Sequence, residues 1–199
     1  MSVVVGLKYK DNVWLACDKQ ITAGDRKTML DTHHKIFPVP ERKGILIGSV
    51  GALRGLNLLE TNNNYIDELA YFKKEIDYTY MVNDFPLLIN ELFKIHGLVD
   101  AEQKTLNLHN EFLVAVEDKL YLVGWDGSVQ EFNDFAVIGS GADLAYGALT
   151  ANVQEKLSDE QIKFILFKAV SAASYNTGCG GGCIILNTKE NKFYEFREK

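Results

Sequence analysis

The chain opens Met1-Ser2-Val3-Val4-Val5, so a hydroxyl stands one residue from the start and directly before an apolar run. With Met1 removed, Ser2 carries that hydroxyl beside a free α-amine, a nucleophile together with its own base. A serine hydroxyl attacks poorly until its proton is taken, and an α-amine with an unperturbed pKa of roughly 7.7 to 8.0 can take it, through a water or a neighbouring hydroxyl. Serine is small, and a Met-Ser start is expected to be processed by methionine aminopeptidase. Such chemistry needs an ordered terminus, and termini fray unless they are tied down. Here Val3, Val5 and Leu7 alternate with Val4 and Gly6, Asp11-Asn12 is expected to turn the chain, and Val13-Trp14-Leu15-Ala16 runs back to Asp18. That pattern predicts a hairpin whose first strand begins at residue 2 or 3 and is buried.

Other chemistries fare worse. Gly139-Ser140-Gly141-Ala142-Asp143-Leu144 lacks the third glycine of a dinucleotide fingerprint, and Gly48 to Gly55 has no Lys-Ser/Thr to make a phosphate loop. His33 and His34 are adjacent, so on a strand they point to opposite faces, and no cysteine or carboxylate pattern completes a metal site. No metal and no cofactor is expected. Cys179 and Cys183 lack the spacing of a redox pair and read as small buried residues. Lys+Arg 21 against Asp+Glu 27, a formal net charge of -6, with the basic residues scattered, excludes a phosphate-tracking surface and with it a nucleic-acid partner. Apolar runs such as Phe112 to Val116 are strand length, far short of the ~20 residues that span a bilayer. No signal peptide is read at the start. Three cysteines, an odd number, point to reduced thiols and a cytoplasmic location.

At 199 residues and 47% hydrophobic, the chain is expected to form a single domain, residues 1–199. After Asp18, residues 19–26 read as a polar loop with a glycine turn, and 32–39 as a short strand ending at a proline. Ile45 to Val50 is a nearly continuous apolar strand, covered on both faces. A helical pattern runs from Gly51 to about Lys74, interrupted at Asn62-Asn63-Asn64. A second helix is capped by Asp84, carries Pro86 in its first turn and ends at Gly97. Residues 98–110 are polar. Strands follow at Phe112 to Val116, Leu120 to Trp125, Val129 to Phe132 and Phe135 to Ile138, then a helix from about Ala142 to Ala151. Ser158-Asp159-Glu160-Gln161 is a capping box for another helix. Strands Cys183 to Leu186 and Phe193 to Phe196 close the chain. Grouped strands and grouped helices without βαβ alternation predict an α+β fold with two stacked antiparallel sheets and helices outside.

Several of these motifs together resemble the proteasome β-subunit family, which includes the bacterial two-component proteasome-like peptidases and belongs to the amino-terminal-nucleophile hydrolases. They are the hairpin ending in Asp18, Thr22-Ala23-Gly24-Asp25, Lys35-Ile36, Gly48-Ser49-Val50-Gly51, Ile138-Gly139-Ser140-Gly141 with Ala145-Tyr146-Gly147-Ala148-Leu149, and the late glycine cluster. The resemblance covers nearly the whole chain and implies a four-layer αββα sandwich.

It also implies a catalytic set. The family's first mature residue, normally threonine, falls on Ser2, its aspartate on Asp18, and its buried lysine on Lys35 once one extra loop residue is allowed. The glycine that faces the oxyanion falls on Gly51, and the serine near the nucleophile's amine on Ser140. Where the family has an aspartate and a serine, this chain has Asn176 and Cys179. On this reading Lys35 favours the neutral amine and the oxyanion by its charge, and Asp18 holds the ammonium in place. Asn176 could orient Ser2 and Ser140. The residues by themselves leave Gly51 equally open as a strand-to-helix turn and Ser140 as a helix cap.

The resemblance further implies a homo-oligomer in stacked rings that encloses a chamber, acting on peptide or unfolded protein and requiring an ATP-dependent unfoldase to admit folded substrates. The outer faces of the helices from 51 and 84 are the expected ring contacts. Two rivals stand beside this reading: a catalytically silent scaffold subunit of the same fold, and an amidase acting on a small amide.

Overall fold

The protein is described here from a computed structural model that covers residues 2–39, 42–62, 75–100, 102, 104–190 and 192–197. Strands β1 (Val3–Tyr9) and β2 (Asn12–Asp18) form the expected hairpin. Its turn is Lys10-Asp11, one residue earlier than expected, with Lys10 at φ +56°. Asn12 is not a turn residue because it pairs with Tyr9, and its buried side chain accepts a hydrogen bond from the Thr188 hydroxyl at 2.9 Å.

The expected polar loop is instead a two-stranded ribbon, β3 (Gln20–Ala23) and β4 (Arg26–Met29), turning at Gly24. Every residue of β4 is exposed, so it carries no period-2 apolar signal. Next come β5 (Ile36–Pro38), β6 (Ile45–Gly51) and α1 (Leu53–Thr61), which ends at Asn62. The remainder of the helical pattern expected up to Lys74 lies outside the described residues.

A short helix, α2 (Tyr78–Asn83), had no counterpart in the sequence reading; Asp77 caps it by accepting from the Tyr80 amide at 2.8 Å. Helix α3 (Phe85–Ile95) follows after a single residue. Asp84 is the N-cap of α3 as expected, but it sits with helical φ/ψ at the junction of two helices and makes no side-chain capping bond. Gly97 at φ +67° does end α3, with the Leu98 amide turned back to the Phe93 carbonyl.

Strands β7 (Asn110–Val116), β8 (Lys119–Val123), β9 (Val129–Phe132) and β10 (Phe135–Gly139) follow, β8 stopping two residues short of Trp125. Helix α4 (Ala142–Asn152) precedes α5 (Asp159–Ala173), which has the reciprocal Ser158–Gln161 capping box. Strands β11 (Cys183–Asn187) and β12 (Tyr194–Phe196) complete the chain.

The strands form two antiparallel five-stranded sheets, in order β10-β1-β2-β11-β12 and β5-β6-β7-β8-β9, besides the β3–β4 ribbon. Alternate residues divide the core into three layers. Val4, Leu15, Cys17, Ile138 and Ile184 of the first sheet meet Leu46, Val50, Leu113, Ala115 and Leu120 of the second. The opposite face of the first sheet, with Val3, Val5, Leu7 and Trp14, packs on α4 and α5 through Leu149, Ile162, Leu166 and Val170. The far face of the second sheet packs Ile47, Phe112, Val114 and Tyr121 against Leu56, Leu59, Met81, Ile89 and Phe93. This is the αββα sandwich. The sheets approach closely at Gly48, where a Cβ would lie 2.6 Å from Val4 Cγ1.

Cys17 lies in that central layer, wholly buried, and burial pushes its thiol up to about 12. An acid whose pKa is higher folded than unfolded binds more protons in the native state at alkaline pH. Stability therefore falls as pH rises through the unfolded value near 9 toward the folded one. We expect the unfolding free energy from denaturant titrations to drop more steeply between pH 9 and 11 in the wild type than in Cys17→Ala, by about 1 kcal/mol per pH unit.

Candidate active site

The topology brings four strand ends to the head of β1. Because β1 runs antiparallel to both neighbours, its beginning lies beside the end of β10 on one side and the end of β2 on the other, in the registers Val3↔Gly139 and Val4↔Cys17. The same geometry sets the beginning of β11 next to Asp18 (Cys183↔Asp18), which delivers the glycine cluster that precedes it. The end of β6 arrives from the other sheet, Val50 joining Val4 and Ile138 in the central layer.

Ser2 sits at this convergence and is buried. Its amide donates to Ser140 Oγ at 3.2 Å, and Ser140 Oγ in turn lies 3.4 Å from the Ser2 carbonyl oxygen. Ser140 is thus directed at the backbone of Ser2 and does not cap α4, whose N-cap is Gly141 with no side-chain bond. Asp18 Oδ1 accepts from the Val3 amide at 2.9 Å and from Lys35 Nζ at 2.5 Å, while Asp18 Oδ2 accepts from the Gly180 amide at 3.1 Å. Lys35 Nζ also donates to the Gln20 carbonyl at 2.5 Å. The side chains of Lys35 and Asp18 are 1% and 0% exposed, so this is a fully buried ion pair, pinned by two backbone amides and a carbonyl. A buried pair of this kind is tolerable only when its remaining hydrogen-bonding capacity is met, as it is here.

Gly51 ends β6 at φ +125°, a conformation open to glycine, and a Cβ there would lie 2.4 Å from the His109 carbonyl oxygen. It is a strand-to-helix turn, and together with Ser2 and Lys35 it lines a small void of about 10 Å3. Asn110 braces this turn from below, its side-chain amide donating to Ser49 Oγ at 3.0 Å and to the Ala52 carbonyl at 3.2 Å. Gly51→Ala should lose activity at least tenfold and lower the melting temperature, because backbone must move to admit the methyl; turnover and thermal melts of the variant measure both.

The two departures from the family pattern have specific contacts. Asn176 Nδ2 donates to the Ser140 carbonyl at 2.7 Å, and its Oδ1 accepts from the Gly178 amide at 3.0 Å. It thus ties the backbone of the Ser140 turn to that of the glycine loop, and an aspartate there could not donate to the carbonyl. Cys179 Sγ lies 3.9 Å from Ser140 Oγ, and burial raises its thiol pKa. All seven residues singled out in the sequence are brought to one end of the sandwich. What sequence reading missed are backbone donors and acceptors, the Gly180 amide and the Gln20 carbonyl, which have no side-chain signature, and Asn110, whose partners are some 60 residues away.

A cleft of about 520 Å3 opens beside Ser2, with Gly51 on one side, Ser140 on the other, and Asn107, His109, Glu111 and Trp125 as its outer walls. Among the described residues no group of three or more His, Cys, Asp or Glu is arranged to hold a metal, and His33 Nδ1 lies 2.9 Å from Glu60 Oε2.

The αββα sandwich thus carries a hydroxyl residue at the head of an interior strand, close to a buried lysine–aspartate pair. Comparison with known proteins shows what this arrangement is similar to. Residues 111–188 match the family described as Proteasome subunit. The proteasome subunit beta of Halorhabdus utahensis is 29% identical over 189 residues, covering 92% of this chain and 75% of the relative. The proteasome subunit beta 1 of Pyrobaculum aerophilum is 27% identical over 201 residues, covering 96% and 92%. Among solved structures, Thiobacillus denitrificans BPH in complex with epoxomicin superposes with a TM-score of 0.70 at 20% identity, covering 94% of this chain and 98% of that one. Over more than nine-tenths of its length the chain is thus similar to proteasome β subunits.

Proposed function

We propose that the protein is a peptidase of the proteasome β type that cleaves peptide bonds through an acyl-enzyme on Ser2, exposed by removal of Met1. The observation that carries this reading is the placement of Ser2 N within reach of Ser140 Oγ, while the buried Lys35–Asp18 pair lies below the same residue. In the proposed reaction the Ser2 α-amine, with Ser140 as relay, takes the Ser2 hydroxyl proton as Oγ attacks the substrate carbonyl. The Gly51 amide and the Lys35 charge stabilise the oxyanion. Collapse of the tetrahedral intermediate breaks the C–N bond, and the proton passes to the leaving amine. A water then attacks the Ser2 ester with the same amine as base, releasing the acid and restoring the hydroxyl. Asp18 positions Lys35; Asn176, Cys179 and the glycine loop fix Ser140 and Asp18.

The similarity to proteasome β subunits supports an oligomeric assembly and a peptide substrate. The finer reading is a homo-oligomer of stacked rings, served by an ATP-dependent unfoldase in the cytoplasm. It draws support from exposed apolar residues on α1 and α3, Leu53, Leu87 and Ile95, which burial between subunits would remove from water. Three buried cysteines suit a reducing compartment, and among the described residues no helix is long and apolar enough to cross a membrane. Oligomeric mass by light scattering, together with hydrolysis of amino-terminally blocked aminocoumarin peptides, tests the reading. A large assembly with turnover is expected; a monomer without turnover on any such peptide would overturn it.

A further inference from the structure

The cleft at Ser2 has a chemical character that the reaction itself does not require. On β7, Phe112, Val114 and Val116 face the helices, so Glu111 belongs to the alternate row with Leu113 and Ala115, which faces the other sheet. Further along, that row is apolar and sealed. Glu111 pairs in register with Val50 and places a carboxylate at the open end of the layer, in the cleft wall with Ser2 and Ser140. Trp125 stands beside it, 55% exposed. The turn that carries it is held at the backbone: the Leu108 amide donates to the Trp125 carbonyl at 2.7 Å, and the Gly124 amide donates to the Ser128 carbonyl at 2.8 Å. Among the described residues lining the cleft, Glu111 is the one carboxylate, and none is a lysine or arginine.

The direction of the chemistry says which part of a substrate enters. The oxyanion must point to Gly51, and the leaving nitrogen must face the base that returns its proton, which is the Ser2 amine beside Ser140. The segment that departs therefore leaves Ser2 on the Ser140 side, into this cleft. We infer that Glu111 and Trp125 form a subsite for the leaving-group side of the substrate that selects a cationic side chain, lysine or arginine, just after the cleaved bond. The carboxylate supplies a charge-assisted partner, and the indole face takes the cation or its aliphatic stem. This inference rests on the proposed reaction for its direction, and on the cleft's own residues for its chemistry.

Two readouts test it. Internally quenched peptides with one acyl half and either lysine or glutamate after the scissile bond should be cleaved with kcat/KM differing about tenfold in favour of lysine, the scale of one charge-assisted hydrogen bond. Glu111→Gln should collapse that ratio toward one. Independently of turnover, indole fluorescence should respond saturably to Lys-Gly amide and not to Glu-Gly amide, since Trp14 is buried, and the response should vanish in Glu111→Gln and in Trp125→Ala. Equal cleavage of the two peptides, a uniform loss on both in Glu111→Gln, or a fluorescence response blind to charge would overturn the subsite. If no peptide is cleaved while the charge-selective fluorescence response persists, the subsite stands and the peptidase reading falls.

Discussion

Ser2→Ala should abolish peptide hydrolysis, by at least about a thousandfold in kcat, while the protein still folds and assembles. A nucleophile whose covalent intermediate is the whole route has no substitute nearby, and a loss of that size corresponds to roughly 4 kcal/mol of barrier. The substitution removes one oxygen and leaves the Ser2 amide on Ser140 Oγ and the Val3 amide on Asp18 as they are. The melting temperature should therefore move by no more than about 2 °C, the scale of a change that opens no cavity and orphans no charge. Kinetics and calorimetry on the same preparation separate the two effects. A Ser2→Ala protein with residual turnover near the wild-type level would remove Ser2 from the reaction.

Lys35→Ala should be the most damaging single change overall, because it acts on stability and chemistry together. The side chain fills a fully buried position, and its ammonium is the cationic partner of the Asp18 carboxylate, which is itself wholly buried. Deleting it leaves Asp18 its bonds from the amides of Val3 and Gly180 but no ammonium, and leaves the Gln20 carbonyl without its lysine. Removing one member of a buried pair costs about 3–5 kcal/mol, and in a chain of this size each kcal/mol moves the melting temperature by roughly 2–4 °C. A fall of about 10 °C or more is expected, with hydrolysis lost at temperatures where the variant remains folded. Lys35→Met keeps most of the volume and should recover part of the stability with none of the activity. A Lys35→Met enzyme that turns over normally would refute the electrostatic role given to the ammonium.

What could be seen in the sequence follows from what makes a signal local. The β1–β2 hairpin is a period-2 pattern over a buried strand pair, so Ser2 and Asp18 at its open end were legible, as were the α5 capping box and the Gly97 stop. The β3–β4 ribbon was read as a loop because β4 buries nothing, and α2 was missed because its six residues are too few to show a period. Asp84 does stand at the N-cap of α3, but the side-chain capping bond is made one helix earlier, by Asp77, because a second helix adjoins the one that was read. Lys35, Gly51, Ser140, Asn176 and Cys179 carried no signal of their own; the resemblance assigned them. Only the folded topology, four strand ends meeting at Ser2, explains why they share a site. The Glu111–Trp125 wall was beyond sequence reading, because its two residues reach the cleft from β7 and from the turn after β8, and no local pattern reveals how these two segments align.

The most direct test of the central claim is peptide mass spectrometry of the purified protein after treatment with an α,β-epoxyketone peptide, which needs a hydroxyl and a free amine on the same residue to form its double attachment. The account predicts that Met1 is absent and that the adduct maps to the peptide beginning at Ser2, missing in Ser2→Ala. Met1 retained on the native chain, or a processed Ser2 that stays unmodified at saturating reagent, would contradict it.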